Sequence, residues 1–202
     1  MQDITTNTTT NIIVGIDEAG RGPWAGPVVA SACFIPKGHK LHKEVKDSKK
    51  LSHQKRELLS DEIKKHCLYG IGKSSSLEID KIGIKKATNK AMKKAVSSLL
   101  KKHPTAKIDL LQIDGNDKFK FNFESEDIIK GDEKISHISA ASIIAKVERD
   151  KIMQRESKKY PQYGFNNHKG YGTKEHQEAL KKHGTCKIHR FSYKPVAAIE
   201  NK

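Results

Sequence analysis

Four acidic residues stand where they could do chemistry together. Asp17 and Glu18 close the apolar run "IIVGI" and are followed at once by the glycine-rich "AGRGPWAGP". Asp114 closes a second apolar run, "KIDLLQID", and Asp132 follows Lys130-Gly131 just ahead of the helix-like "SAASIIAKVERD". Carboxylates brought within a few ångströms repel one another, and a hard divalent cation such as Mg²⁺ or Mn²⁺ relieves that cost. A pair of such ions can align a water and stabilise the leaving oxygen in phosphodiester hydrolysis. Taken singly, each acid reads better as a turn residue or a helix cap, Asp132 above all. The coincidence of strand-end acids with a basic chain is what points to nuclease chemistry.

The elements that must position these acids are legible in outline. "IIVGI" and "VVASACFI" are β-branched runs joined by a tight turn, so they are expected to adjoin in one sheet, antiparallel. Asp17 and Glu18 point to opposite faces of a regular strand, and they can meet at one ion only if the chain twists or ends there; Gly20 and Gly22 permit such a bend. A helix is expected after "DSKKLS", capped by Ser48 or Ser52, with Leu58, Leu59, Ile63 and Cys67 as its apolar stripe. "YGIGKSSS" reads as a short strand. A long basic helix follows, with apolar Ile79, Ile82, Ala87, Ala91, Ala95 and Leu99 and an expected break near Gly83. "SAASIIAKVERDKIMQRESKKY" is helical up to Pro161, "QYGFNNHKGYGT" is irregular, and a short helix runs from the Thr173 cap to the Gly184 stop. Strands alternating with helices give an α/β class. Residues 1–11 read as a flexible lead-in and 12–202 as one catalytic domain.

The 202-residue chain is long enough to bury a core, and its net charge of +15 suits a polyanionic partner. Lysine supplies most of that charge along the whole length, so lysine-rich background on solvated helix faces is an equal reading. Only five arginines occur, which makes Arg21 in its glycine turn and Arg190 near the end stand out. No run of about 18 apolar residues exists and the polar start lacks the features of a signal peptide, so a soluble, cytoplasmic protein is expected. Cys33, Cys67 and Cys186 lie far apart, without zinc-ligand spacing.

From about Ile13 to Val196 the sequence resembles the type 2 ribonuclease H family of bacterial ribonuclease HII. The resemblance is carried by "GIDEAGRGPWAGPVV", "DSKKLS", "LLQIDGN", "KGDEKISHISAASIIAKVERD", "YPQYGFNNHKGYGT" and "HRFSYKPV", in family order and at family-like spacing. It implies a ribonuclease H-like fold: a central mixed sheet flanked by helices, with a helical C-terminal part. It also implies cleavage of the RNA strand of RNA/DNA hybrids and nicking of duplex DNA on the 5′ side of embedded ribonucleotides, leaving 3′-OH and 5′-phosphate ends.

The family's catalytic, metal-holding acids fall on Asp17, Glu18, Asp114 and Asp132, with Mg²⁺ or Mn²⁺ in a two-metal site. Its GRG motif, the reader of the 2′-hydroxyl, falls on Gly20, Arg21 and Gly22, and its sugar-packing tyrosine falls on Tyr171. Resemblance to the family's basic groove adds Lys49, Lys50, His168, Lys169, Arg190 and Ser192 as phosphate contacts. The implied partners are RNA/DNA hybrid and ribonucleotide-containing duplex DNA, and a monomer is the default expectation. Two positions depart from the family: Trp24, expected as core packing or as an altered groove wall, and Phe191 in place of a second basic residue.

Two other classes stay in view. A basic binder without catalysis would need no acids at strand ends. An anion-binding glycine loop is disfavoured because Gly20-Arg21-Gly22-Pro23 lacks the GK[ST] ending and Pro23 removes a backbone donor.

Overall fold

The computed structural model describes residues 12–45 and 52–200. The expected lead-in and the alternative cap Ser48 lie outside the described residues. Among the described residues five strands form one mixed sheet in the order β3-β2-β1-β4-β5. They are β1 (Ile12–Ala19), β2 (Val28–Phe34), β3 (Leu68–Ser74), β4 (Ile108–Asp114) and β5 (Ser125–Ile128). β1 pairs antiparallel with β2, as the tight turn between them requires, and parallel with β4. β5, polar and only four residues long, is held by its parallel pairing with β4.

Period-two alternation sorts the sheet's side chains between two helical layers. Val14, Ile16, Ala30, Ala32, Leu111 and Ile113 face α4 (Ile84–Lys102), whose Ala87, Ala91, Ala95 and Leu99 are fully buried against them. Gly70 and Gly72 make this approach close. A Cβ on either would stand 2.1 Å from a backbone oxygen of α4. The helix does break as expected: Gly83, with φ +79°, separates α3 (Ser76–Ile82) from α4.

On the other face, α6 (Ser136–Lys159) lies against β1 and β2. A Cβ on Gly15 would meet the His137–Ile138 backbone at 2.3 Å, so glycine lets the start of α6 press onto β1. Beside α6 packs α2 (His53–His66), whose cap is Ser52, accepting from the Lys55 amide. Ile63 and Cys67 are buried and Leu59 half-buried, but Leu58 is 64% exposed. The expected stripe is therefore corrected: residues 59, 63 and 67 recur every four positions on one face, and Leu58, about 100° away around the helix, faces outward. The short α1 (Leu41–Glu44) closes this layer with Leu41.

A third cluster is the helical C-terminal part. It is built on Ala25, Met153, Tyr163, Phe165 and Leu180, with Trp24, Cys186 and Ile188 against it. Its elements are a 3₁₀ turn at Pro161–Tyr163, α7 (Phe165–His168), α8 (Lys174–His183) and α9 (Lys194–Glu200). Thr173 caps α8 and Gly184, with φ +68°, ends it, as read from the sequence. Among the described residues no helix is long and apolar enough to cross a membrane.

Candidate active site

Asp17 and Asp114 sit at the same ends of adjacent parallel strands, since the register pairs Ile16 with Ile113 just before them. Asp17 is 6% exposed and turns toward α6, where it meets Ser142; its Oδ1 also accepts from the Glu18 amide at 2.6 Å. Asp114 Oδ1 accepts from the Gly131 amide at 2.7 Å and the Asp132 amide at 3.3 Å, so it caps the short α5 (Gly131–Lys134) from another element. Lys130, with φ +56°, makes the left-handed turn that aims α5 at it. Asp132 is tied down in turn, its carbonyl accepting from Ser139 Oγ on α6. Gly131 lies against Asp114 Oδ1 and Ile138, and its missing Cβ allows the three elements to meet.

Glu18 takes the other face. β1 continues through both acids to Ala19, and the bend comes only at Gly20, with φ +99°. Glu18 accordingly meets Arg21 at 3.4 Å, and Arg21 also pairs with Asp117 at 2.5 Å. Lys85 of α4 completes that chain, 3.3 Å from Asp117. Burial pushes the Asp17 carboxyl well above the usual range, and the negative charges of Glu18 and Asp114 push it further. Burial also raises Glu18, with Asp114 and Asp117 adding to the rise and Arg21 opposing it. Among the described residues no three His, Cys, Asp or Glu side chains converge closely enough to hold one ion. The donor set is nevertheless all hard carboxylate oxygen, and a buried carboxyl facing two like charges is the condition that a divalent cation relieves.

Next to the acids lies the glycine turn. Gly22 is exposed, and a Cβ on it would come within 3.7 Å of Tyr171 Cε1, so the glycine turn and the tyrosine are neighbours. Tyr171 itself is 45% exposed. The two segments are tied by Trp24, whose amide donates to Gly170 O at 2.8 Å and whose ring fills the space above Gly172. Trp24 is thus a packing residue between the two loops, the first of the two expectations for it.

Of the expected phosphate contacts, Lys49 and Lys50 lie outside the described residues. Lys169 is half-buried and donates to Asn166 O. Ser192 is exposed, and its amide and hydroxyl both donate to Asp80 Oδ1. Phe191, 40% exposed, donates its amide to the same carboxylate. His168 and Arg190 require correction. His168 is 8% exposed with both ring nitrogens engaged, Nε2 with Tyr163 O at 2.8 Å and Nδ1 accepting from the Gly170 amide at 3.1 Å. Arg190 is wholly buried, and its guanidinium donates inward to Gly20, Arg21 and Gly26 carbonyls. Residue type signalled charge, but only the fold sets its direction.

Arg149 was missed, as were Asp117 and the His176–His189 pair. Arg149 is 1% exposed on α6 and donates to Ala25 O, Pro27 O and Lys169 O at 3.0–3.1 Å, with its Nε and Cδ in the space a Gly20 side chain would need. Arginine scarcity was the available signal. "KVERD", however, reads as an ordinary solvated helix face.

Comparison with known proteins bears on the whole arrangement. The family model of ribonuclease HII matches residues 14–196. Ribonuclease HII of Caldanaerobacter subterraneus subsp. tengcongensis is 51% identical over 184 residues, covering 91% of this chain and 74% of that protein. The structure of the PCNA:RNase HII complex from Archaeoglobus fulgidus includes a chain similar to this one with a TM-score of 0.76 at 29% identity, covering 95% of this chain and 98% of that one. Bst-RNase HIII, solved in complex with Mn²⁺, shares the fold, with a TM-score of 0.75 at 15% identity over 95% of this chain and 70% of that one. With its mixed sheet and a family match along nearly its whole length, the chain belongs to the ribonuclease HII family of RNase H endoribonucleases.

Proposed function

We propose that this chain is a divalent-metal-dependent endoribonuclease that cuts the RNA strand of RNA/DNA hybrids and nicks duplex DNA 5′ of an embedded ribonucleotide, leaving 3′-OH and 5′-phosphate ends. The observation that carries this reading is the adjacency of two devices: Gly22 beside Tyr171, where a Cβ on the glycine would come within 3.7 Å of the ring, and Arg21 of the same turn paired to Glu18. One device selects a sugar and the other cleaves beside it.

Asp17, Glu18, Asp114 and Asp132 would hold Mg²⁺ or Mn²⁺, the ion with which a fold relative was solved. Bound there, a pair of such ions supplies alignment of the attacking water and neutralisation of the leaving oxygen. The chain's own part is positioning. Asp114 holds the start of α5, and so Asp132, through the Gly131 and Asp132 amides. Arg21 is held by Glu18 and Asp117, which fixes the turn laterally against the acids. The Gly20–Gly22 backbone reads the 2′-hydroxyl, which can both donate and accept. Tyr171 packs on the neighbouring deoxyribose and keeps the RNA-to-DNA junction in register. Free thiols at Cys33, Cys67 and Cys186 fit a cytoplasmic location.

The test is single-turnover cleavage of a duplex carrying one ribonucleotide, and of its all-DNA counterpart, with Mg²⁺, Mn²⁺ or EDTA. Metal-dependent cutting of the first alone is expected. Tyr171→Ala should slow it about a hundredfold, the scale of a 1 Å misplacement, with little loss of duplex affinity. Cutting in EDTA, equal cutting of both duplexes, or an unaffected Tyr171→Ala variant would defeat the corresponding part of the reading.

A further inference from the structure

The guanidinium of Arg190 is a permanent charge with no exposed surface. Its partners are oxygens of the chain: Nη2 donates to Gly20 O at 2.6 Å, Nη1 to Arg21 O at 2.9 Å and to the Tyr193 hydroxyl at 3.0 Å, and Nε to Gly26 O at 2.9 Å. Tyr193 donates in turn to Arg21 O at 2.5 Å. The Arg21 carbonyl therefore receives two donors, and two successive carbonyls of the turn are drawn inward.

Peptide planarity turns this into a statement about the outward side. In a trans peptide the carbonyl of one residue and the amide of the next point in opposite directions, and the described residues contain no cis peptide bond. With Gly20 O and Arg21 O held on the guanidinium, the Arg21 and Gly22 amides are directed away from it. Among the described residues neither amide donates a hydrogen bond. Gly20 and Pro23 are buried while Gly22 is exposed beside Tyr171, so the Gly22 amide emerges at the surface of the proposed ribose site. A cation on the carbonyl side also polarises each peptide unit and strengthens its N–H as a donor.

We propose that Arg190 sets ribose specificity from beneath: it fixes the Gly20–Gly22 peptide planes so that the Arg21 and Gly22 amides face the groove as donors. A 2′-hydroxyl oxygen satisfies them and a deoxyribose leaves them unpaired. Arg190 touches no substrate and is a positioning residue. The inference rests on the reading of the glycine turn as the ribose-sensing element. Lysine cannot substitute, because one ammonium centre does not span the carbonyls of residues 20, 21 and 26 as a planar fork does.

The experiment is anisotropy titration in EDTA of two duplexes identical but for one 2′-hydroxyl, at several salt concentrations, with wild type, Arg190→Lys, Arg190→Met and Tyr193→Phe. The ratio of ribonucleotide to all-DNA affinity should fall by up to about tenfold in both Arg190 variants, the scale of one lost hydrogen bond. All-DNA affinity and the salt slope should not move. Tyr193→Phe, which leaves the guanidinium in place, should lose a smaller part of the ratio, and it decides the matter should the Arg190 variants fail to fold. Equal loss on both duplexes with a salt slope shallower by about 0.9 would make Arg190 a phosphate contact and overturn the proposal. So would a wild-type ratio in every variant. A wild type indifferent to the hydroxyl would instead remove the ribose-sensing reading itself, a distinct result.

Discussion

Two charged regions meet at the end of this sheet, and they are satisfied in opposite ways. Around Asp17 the charge is negative: burial, together with the charge of neighbouring acids, holds Asp17 and Glu18 above their usual range. Beneath the glycine turn the charge is positive: Arg149 and Arg190 are both buried, and backbone carbonyls take up their donors. Burial pulls Arg149 down to about 10, and the nearby Arg190 adds to the shift. Apart from Arg149 Nη1, the donors of the positive region are taken up by the chain itself, so it serves as scaffold. The negative region keeps uncompensated like charge, the condition under which the proposed divalent cation would bind.

The largest expected effect tests the negative side. Asp17→Asn or Asp114→Asn should cut turnover roughly a thousandfold or more, since the ions they would hold supply several kcal/mol of charge stabilisation. The fold should not suffer in proportion. The raised carboxyl pKa of Asp17 means that its ionised form opposes folding, a cost present as pH rises above the folded value. Removing that charge should leave the melting temperature in EDTA at pH 7.5 unchanged or higher. A large loss of stability in Asp17→Asn would show that the carboxylate is structurally satisfied and would erase the contrast.

Arg149→Met should behave in reverse. It strands the Ala25, Pro27 and Lys169 carbonyls, and each buried unsatisfied acceptor costs roughly 1–3 kcal/mol. Two features reduce the sum: Arg149 Nη1 is already buried without a hydrogen-bond partner, and loss of the cation relieves its repulsion with Arg190. A net loss of about 3 kcal/mol is expected from chemical denaturation, with residual cleavage still metal-dependent. A variant as stable as wild type would mean that the positive scaffold is dispensable.

How much of this was legible follows from which signals are local. The β-branched runs, the Gly83 break, the Thr173 cap, Ser52 as one of the two caps offered, and Asp114 at the end of β4 are properties of a few neighbouring residues, and they stand where the sequence placed them. β5 was not legible, because "SEDI" carries no apolar alternation and exists through its pairing with β4. The division of Asp17 and Glu18 between two faces follows from strand periodicity; the bend that might have reunited them comes one residue later, at Gly20. Arg149, Arg190 and His168 were opaque for a different reason. Each is polar in type and buried in fact: for the two arginines the carbonyls that make burial tolerable come from segments distant in sequence, while His168 is satisfied inside its own loop by Tyr163 O and the Gly170 amide, where residue type alone gives no sign of burial.

The smallest effect concerns how the positive region avoids further charge. His189 Nδ1 accepts from the Cys186 amide at 2.8 Å, so its proton must sit on Nε2, which lies 3.0 Å from His176 Nε2. His176 Nε2 is then the acceptor, and its Nδ1 proton goes to Tyr171 O at 3.0 Å. One tautomer chain thus runs from Cys186 to the carbonyl of the proposed sugar platform, and it works only while both rings are neutral. Burial pushes both histidines down to about 4. His168 faces both rings and adds to the depression, while Glu175 opposes it at His176. For groups whose folded pKa lies below the unfolded value of about 6.5, the contribution to stability is complete above that value and is lost as pH falls toward the folded one. Thermal unfolding should therefore show a falling melting temperature between pH 6.5 and 4.5, and His189→Gln, with one fewer titrating ring, should show a shallower fall. Asp17 and Glu18, whose pKa values are raised, change stability in the opposite direction over acid pH, which is why the comparison is with the variant and not with a flat line. Parallel curves for the two proteins would place the acid loss elsewhere and leave the histidine pair as simple packing.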